Sequence, residues 1–219
     1  MSLYAITLVF ALWRYPKYFD TPLRYLPILF LYTFLNELLG NLVAIDENIA
    51  LTFRDLTDNS IIYNLYTIIS YLYYYYIFWS FSKNPIAKKY ILYGGIIFLI
   101  SCGINVFLQS FASDSQVISY TIGGCVLLFC TISYLRHFIF LKQKFEYKQT
   151  ILFWLSLGLS IFYMGYLPLK INWFYDAARG LGASHTSRIF HLSLIIIMYS
   201  FFVIGFYKMK RPLSKIVIM

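Results

Sequence analysis

The sequence predicts an all-α integral membrane protein, a bundle of seven transmembrane helices with N-terminus out and C-terminus in. Three observations carry this. Hydrophobic residues form 60% and charged residues 12% of the 219-residue chain, against roughly 45–50% and about 25% in soluble domains. Apolar stretches of spanning length recur along the chain. The 18 Lys and Arg gather in alternate connections.

A spanning helix needs about 20 mostly apolar residues. Six segments supply them: 25–45, 60–81, 90–109, 116–135, 151–169 and 189–207. A seventh, 2–13, is short. No basic stretch precedes it and no small-x-small cleavage site follows, which argues against a signal peptide. It reads as a short first helix, although a start upstream of Met1 would explain its length equally well. Residues 208–219 form a short basic tail, and the chain reads as one transmembrane domain.

Cytoplasmic loops collect Lys and Arg. Placing the first, third and fifth connections and the tail inside puts 14 of the 18 basic residues there, and six of the nine acids outside. The third connection supplies Lys83, Lys88 and Lys89, and the fifth supplies Arg136, Lys142, Lys144 and Lys148. Lys170 counts with the sixth, outer connection. The net charge of +9 is therefore an orientation signal, with a small contribution from contact with anionic lipid, and nucleic acid is not an expected partner. Tyr73 to Tyr76, Tyr15 and Tyr18 read as interfacial tyrosines.

Catalytic signatures are missing. There is no HExxH, GxSxG, P-loop or GxGxxG. Cys102, Cys125 and Cys130 have neither disulfide nor zinc spacing and read as buried free thiols. His137, His185 and His191 do not share a helical face, so no metal or cofactor is expected. A retinal Schiff base needs a mid-membrane lysine in the last helix, and none occurs before Lys208.

Polar residues inside the spans carry the functional reading. A charge in the bilayer core costs ~2.5–3.5 kcal/mol on insertion scales, and Glu37 (LNELLGN) is the clear case. Asn41 lies one turn further along the same face, while Asn36 is turned about 100° away. Asn64, Tyr66, Asn105, Gln109, Tyr120, Tyr163, Tyr166 and His191 all fall in central or outer halves. The candidate ligand-binding residues are Glu37, Asn41, Asn64, Asn105, Tyr163, Tyr166 and His191, with His191 the expected partner of Glu37. The plain alternative is that these groups bond helices together. Gly158 with Gly165, and Ser156 with Ser160, form two small-residue faces suited to close packing. The connection WFYDAARGLGASHTSR reads as a long outer loop, either a lid or a mobile connector.

The stretches LPILFLYTFLNELLG, NLYTIISYLYYYYIFW, FWLSLGLSIFYMGYL and HLSLIIIMYSFFVIGFYK resemble a group of small uncharacterised seven-helix inner-membrane proteins of Gram-negative bacteria. They also resemble the seven-transmembrane regions that precede signalling modules in bacterial sensor proteins. The resemblance implies sensing or signalling in the cell inner membrane. No output domain follows the last span, so output would pass through a cytoplasmic or membrane partner such as a histidine kinase.

The leading expectation is a sensor-like or signalling-accessory protein with an outward-facing polar cavity. A small-solute transporter or pore subunit would need polarity in both halves. An enzyme acting on lipid would use Glu37 and His191 as acid and base. A structural or assembly subunit of a membrane complex would use the polar groups only as glue. Homo-oligomerisation stays open.

Overall fold

The computed structural model describes residues 2–45, 60–82, 84–111, 116–140, 150–182 and 184–210; side chains at 40–45, 60 and 137–140 fall outside the described residues. Among the described residues, seven α-helices fall in the seven predicted segments: α1 (Ser2–Arg14), α2 (Leu26–Ile45), α3 (Ser60–Phe81), α4 (Pro85–Leu108), α5 (Val117–Phe140), α6 (Ile151–Ala178) and α7 (His185–Lys208). No strand occurs among the described residues.

Among the described residues, α4, α5, α6 and α7 are long and apolar enough to cross a membrane, which points to a membrane protein. The 13 residues of α1 reach roughly 20 Å at 1.5 Å per residue, short of a hydrocarbon core of about 30 Å. α3 is 22 residues long, but its seven tyrosines and Asn64 dilute its hydropathy.

Local signals place the ends. Asn84 caps α4, its side chain accepting from the Ile86 amide at 2.9 Å, and Pro85 takes the first helical position, where a missing N–H costs nothing. α4 thus starts before the expected 90 and carries Lys88 and Lys89. α6 runs on past 169, through Pro168, to Ala178. Its end is a glycine-capped turn: Gly180, at φ +71°, donates to the Ala177 carbonyl at 2.9 Å and Leu181 to Asp176 at 2.8 Å. Ser184 then caps α7 by accepting from the Ser187 amide at 3.2 Å. The expected long outer loop is therefore mostly helix, with α6 reaching Ala178 and α7 starting at His185.

Packing follows a ring. α1 packs on α2, α2 on α3, α3 on α5, α5 on α6, α6 on α7, and α7 back on α1; α4 lies outside, against α3 and α5. The seam between α6 and α7 is tight because glycine lines it. A Cβ on Gly158 would lie 3.0 Å from the Met198 carbonyl oxygen, and one on Gly165 2.7 Å from Leu194 Cδ1. The serine face turns elsewhere: Ser160 Oγ bonds Thr131 Oγ1 of α5 at 2.9 Å.

The two ends of the ring differ. At the end where α1, α3, α5 and α7 finish, large side chains fill the interior. Tyr18, Leu23, Leu26, Ile77, Leu152, Phe202 and Phe206 are inaccessible to solvent there. Tyr18, expected at the interface, is buried; its hydroxyl donates to the Ala11 carbonyl at 2.7 Å and its ring meets Phe206 at 5.9 Å. The Tyr73–Tyr76 run is likewise no simple belt, since Tyr74 and Tyr75 face the core. Tyr75 donates to the Gly123 carbonyl at 2.7 Å; only Tyr76 is exposed. All three cysteines are free, and Cys125 is exposed rather than buried.

Three substitutions test this packing in detergent-purified protein. Gly158→Val, pressed against α7 backbone, should lower stability by about 1–3 kcal/mol. Gly103→Val, with nothing within 4 Å of the new Cβ, should not. Tyr18→Phe leaves the Ala11 carbonyl without its donor and should cost about 1–3 kcal/mol. Thermal unfolding reads each effect, and equal midpoints for the two glycine variants would refute the close-seam account.

Candidate functional site

At the other end of the ring the interior is hollow. A partly open cavity of about 590 Å³ is lined by residues from all seven helices. That lies within the roughly 300–1,000 Å³ of small-molecule sites. Glu37, Asn64, Tyr163, Tyr166 and His191 line it, as do Thr33, Tyr66 and Tyr120. Asn105 is buried but does not line it. The Asn41 side chain lies outside the described residues, as does that of His137.

Three surfaces make up the wall. The first surrounds Glu37 on α2. The Tyr4 side chain of α1 lies beside its carboxyl group, and Tyr63 and Tyr66 of α3 lie close by. Tyr66 in turn is hydrogen-bonded to Thr33, with their oxygens 2.8 Å apart. Asn36, adjacent in sequence, points elsewhere. It is buried, and its Nδ2 has no hydrogen-bond partner among the described residues.

The second surface is on α6 and α7. His191 stacks on Tyr166, ring centroids 4.4 Å apart at 19°, and meets the Trp173 ring at 5.4 Å, nearly perpendicular. Trp173 Nε1 donates to Ser187 Oγ at 2.9 Å, which ties the two helices together above the histidine. Lys170 faces His191 and lies 5.7 Å from the centre of the Tyr120 ring. Because α6 continues past Pro168, Lys170 belongs to the helix and lines the cavity, where an outer-loop position was expected. The signal was present in the spacing. Lys170 follows Tyr166 by four and Tyr163 by seven, which is one helical face.

The third surface is a tyrosine cluster at the cavity floor. The rings of Tyr71, Tyr120 and Tyr163 lie 5.6–6.1 Å apart. Tyr71 also donates to the Tyr120 carbonyl at 3.1 Å.

The described contacts put Tyr4 beside the Glu37 carboxyl group, and Tyr166 with Lys170 beside the His191 imidazole. The asparagines also divide. Asn64 Nδ2 donates to the Phe111 carbonyl at 3.0 Å and its Oδ1 accepts from the Gln116 amide at 3.4 Å. Asn105 Nδ2 donates to Gln116 Oε1 at 2.7 Å, and Gln109 Oε1 accepts from the Val117 amide at 3.2 Å. These amides tie Phe111, after α4, and Gln116, before α5, to Asn64 of α3. Non-helical backbone at such a place needs internal partners, so Asn105 and Gln109 act as fasteners. Among the described residues no three His, Cys, Asp or Glu come together as metal ligands.

Comparisons with protein-family models, with curated proteins and with solved structures yield no match to this chain.

Asn105→Leu should lower stability by about 1–3 kcal/mol, because it strands the buried Gln116 carbonyl. Affinity for any cavity ligand should stay within about twofold of wild type. A large affinity loss at unchanged unfolding midpoint would return Asn105 to the binding wall.

Proposed function

We propose that this is a multi-pass inner-membrane protein of the sensor or signalling-accessory kind, with seven spans, N-terminus out and C-terminus in. It binds a small ligand in a cavity open to the outside and passes its output to a partner protein, such as a histidine kinase. The observation that carries this reading is the one-sided interior. One half of the ring is a cavity walled by Glu37, Lys170, His191 and tyrosine hydroxyls, and the other half is filled by Tyr18, Phe202, Phe206 and their neighbours. A carrier or pore needs a route through both halves.

Orientation has its own support. The filled end carries Arg14, Arg24, Lys88 and Lys208, each lying over a tryptophan or tyrosine ring at 4.1–4.8 Å. Cations and aromatic rings together suit a membrane interface, and the basic side faces the cytoplasm. The resemblance to seven-helix regions of bacterial sensor proteins points the same way.

Two measurements test the proposal. A fluorescent reporter fused at the C-terminus should be active, and a periplasm-dependent phosphatase fused there inactive; the reverse would overturn the orientation. Solutes that raise the unfolding midpoint of the purified protein should show no protein-dependent flux in liposomes. Flux of such a solute at rates above the empty-liposome background would replace the receptor with a transporter.

A further inference from the structure

We infer that the cavity takes an oxyanion carried on an apolar body, with the anionic group held between α6 and α7 by Lys170, His191 and Tyr166. This rests on the binding role proposed above and adds the chemistry of the ligand. The three side chains form one group. Tyr166 and Lys170 are four residues apart on α6 and share a face. The Tyr166 ring stacks on His191 of α7 at 4.4 Å, and Lys170 faces the same imidazole. All three line the cavity.

Their neighbours are rings. Tyr166 meets Tyr120, Phe162 and Trp173. His191 meets Phe162 and Trp173, and Lys170 lies over Tyr120. Among the described residues none of the three has an acceptor for its N–H or O–H, and Lys170 has no acidic partner. An ammonium brings three donors and no acceptor, and imidazole and phenol add one donor each. Glu37, the acid of the cavity wall, does not supply what is missing. It stands on α2, which packs on α1 and α3, and it is engaged within the chain, with Tyr4 beside it.

Donors gathered in apolar surroundings without an acceptor are costly, and a half-buried ammonium adds the cost of its charge. A carboxylate, phosphate or sulfonate offsets both, because its oxygens accept several bonds at once and charge-assisted bonds are the stronger kind. A cation is repelled by Lys170, and a neutral solute leaves the ammonium uncompensated. Further in, the same helix faces turn apolar. Leu159 and Phe162 precede Tyr166 by seven and four on α6, and Ile195 and Met198 follow His191 by four and seven on α7; all four line the cavity. The anionic group therefore sits at the donors, and the apolar body points towards the filled end. Two sources carry such a group, a free organic acid and a lipid with a phosphate headgroup.

The test uses the full-length protein in maltoside micelles at constant ionic strength. Hexanoate, phenylacetate and phenyl phosphate are the probes. Hexanol and hexylammonium, which share the alkyl chain and lack the anion, are the controls. At least one anion should raise the unfolding midpoint more than either control. Lys170→Gln should weaken that anion about tenfold or more, and His191→Phe, which keeps a ring beside Tyr166, about threefold. Lys170→Arg should retain binding, and Lys89→Gln, near the start of α4, should match wild type. Each variant's midpoint without probe separates lost binding from lost folding. Where the source is a lipid, phosphatidic acid added to the micelles raises the midpoint, diacylglycerol does not, and the difference is gone in Lys170→Gln. Where it is a free acid, the short anions act without added lipid. Equal shifts from hexanol or hexylammonium, or anion shifts that survive Lys170→Gln, would overturn the oxyanion site while leaving a ligand cavity. A flat response to every probe and both lipids would overturn it too. The one-sided cavity keeps its own flux and orientation tests, so the two readings fail separately.

Discussion

The ring closes at α1, and the hollow end exists because it closes there. α1 is too short to hold its place by lipid contact alone, so its C-terminal end is bonded into the bundle. A helix leaves its last four carbonyls without internal partners, and in an apolar setting each must find one. The Tyr18 hydroxyl serves Ala11. The end of α1 serves the carbonyls at the end of α7 in turn: Arg14 donates to the Tyr207 carbonyl at 3.2 Å and Lys17 to the Met209 carbonyl at 3.1 Å. These contacts use backbone groups that every helix end leaves over, and they fix the register of α1 beside α7. Tyr4 is thereby held at the opposite end, where it meets Glu37 on one side and the Tyr199 ring, at 4.7 Å, on the other.

The difference between the two ends follows from side-chain size and chemistry along the same helices. In α7, Phe202 and Phe206 fill the closed end with rings that carry no polar atom, and in α2 Phe30 packs against both, at 5.8 and 6.0 Å. Towards the open end the same faces change to Glu37, His191 and Tyr199. Tyrosine is the recurring lining residue because its ring packs on apolar neighbours while its hydroxyl finds a polar one. A wall of tyrosines can thus border a cavity without leaving buried polar groups unbonded. The glycine seam between α6 and α7 holds that wall firm, because the two backbones approach without intervening side chains.

The helices were legible because apolar length is a strong signal, and the polar residues of the candidate wall because they stand out against it. The cavity itself was readable only as an asymmetry of depth. Three features escaped. Tyr18 looks interfacial by position, and nothing local shows that it folds back over its own helix end. The amide network of Asn64, Asn105, Gln109 and Gln116 joins α3 to the end of α4 and the start of α5, a contact no single segment contains. The place of Lys170 in the cavity wall depends on α6 running on past Pro168 to Ala178, which the apolar stretch ending at 169 does not show.

Lys170 shows how charge divides between topology and site. Counted as a loop residue, it weakened the orientation argument by adding a base to the outer side. Placed on α6 with Tyr163 and Tyr166, it leaves that count and lines the cavity; Asp176 on α6 and Arg188 on α7 leave the connections in the same way. What lets a lysine stand there is the length of α6. Helix formation continues beyond Pro168, which removes one backbone donor but is tolerated in membrane helices where neighbours satisfy the freed carbonyl. The extra turns end at the Gly180 cap and are fastened by Trp173 to Ser187. The same extension that abolishes the long loop therefore builds the cationic wall of the cavity.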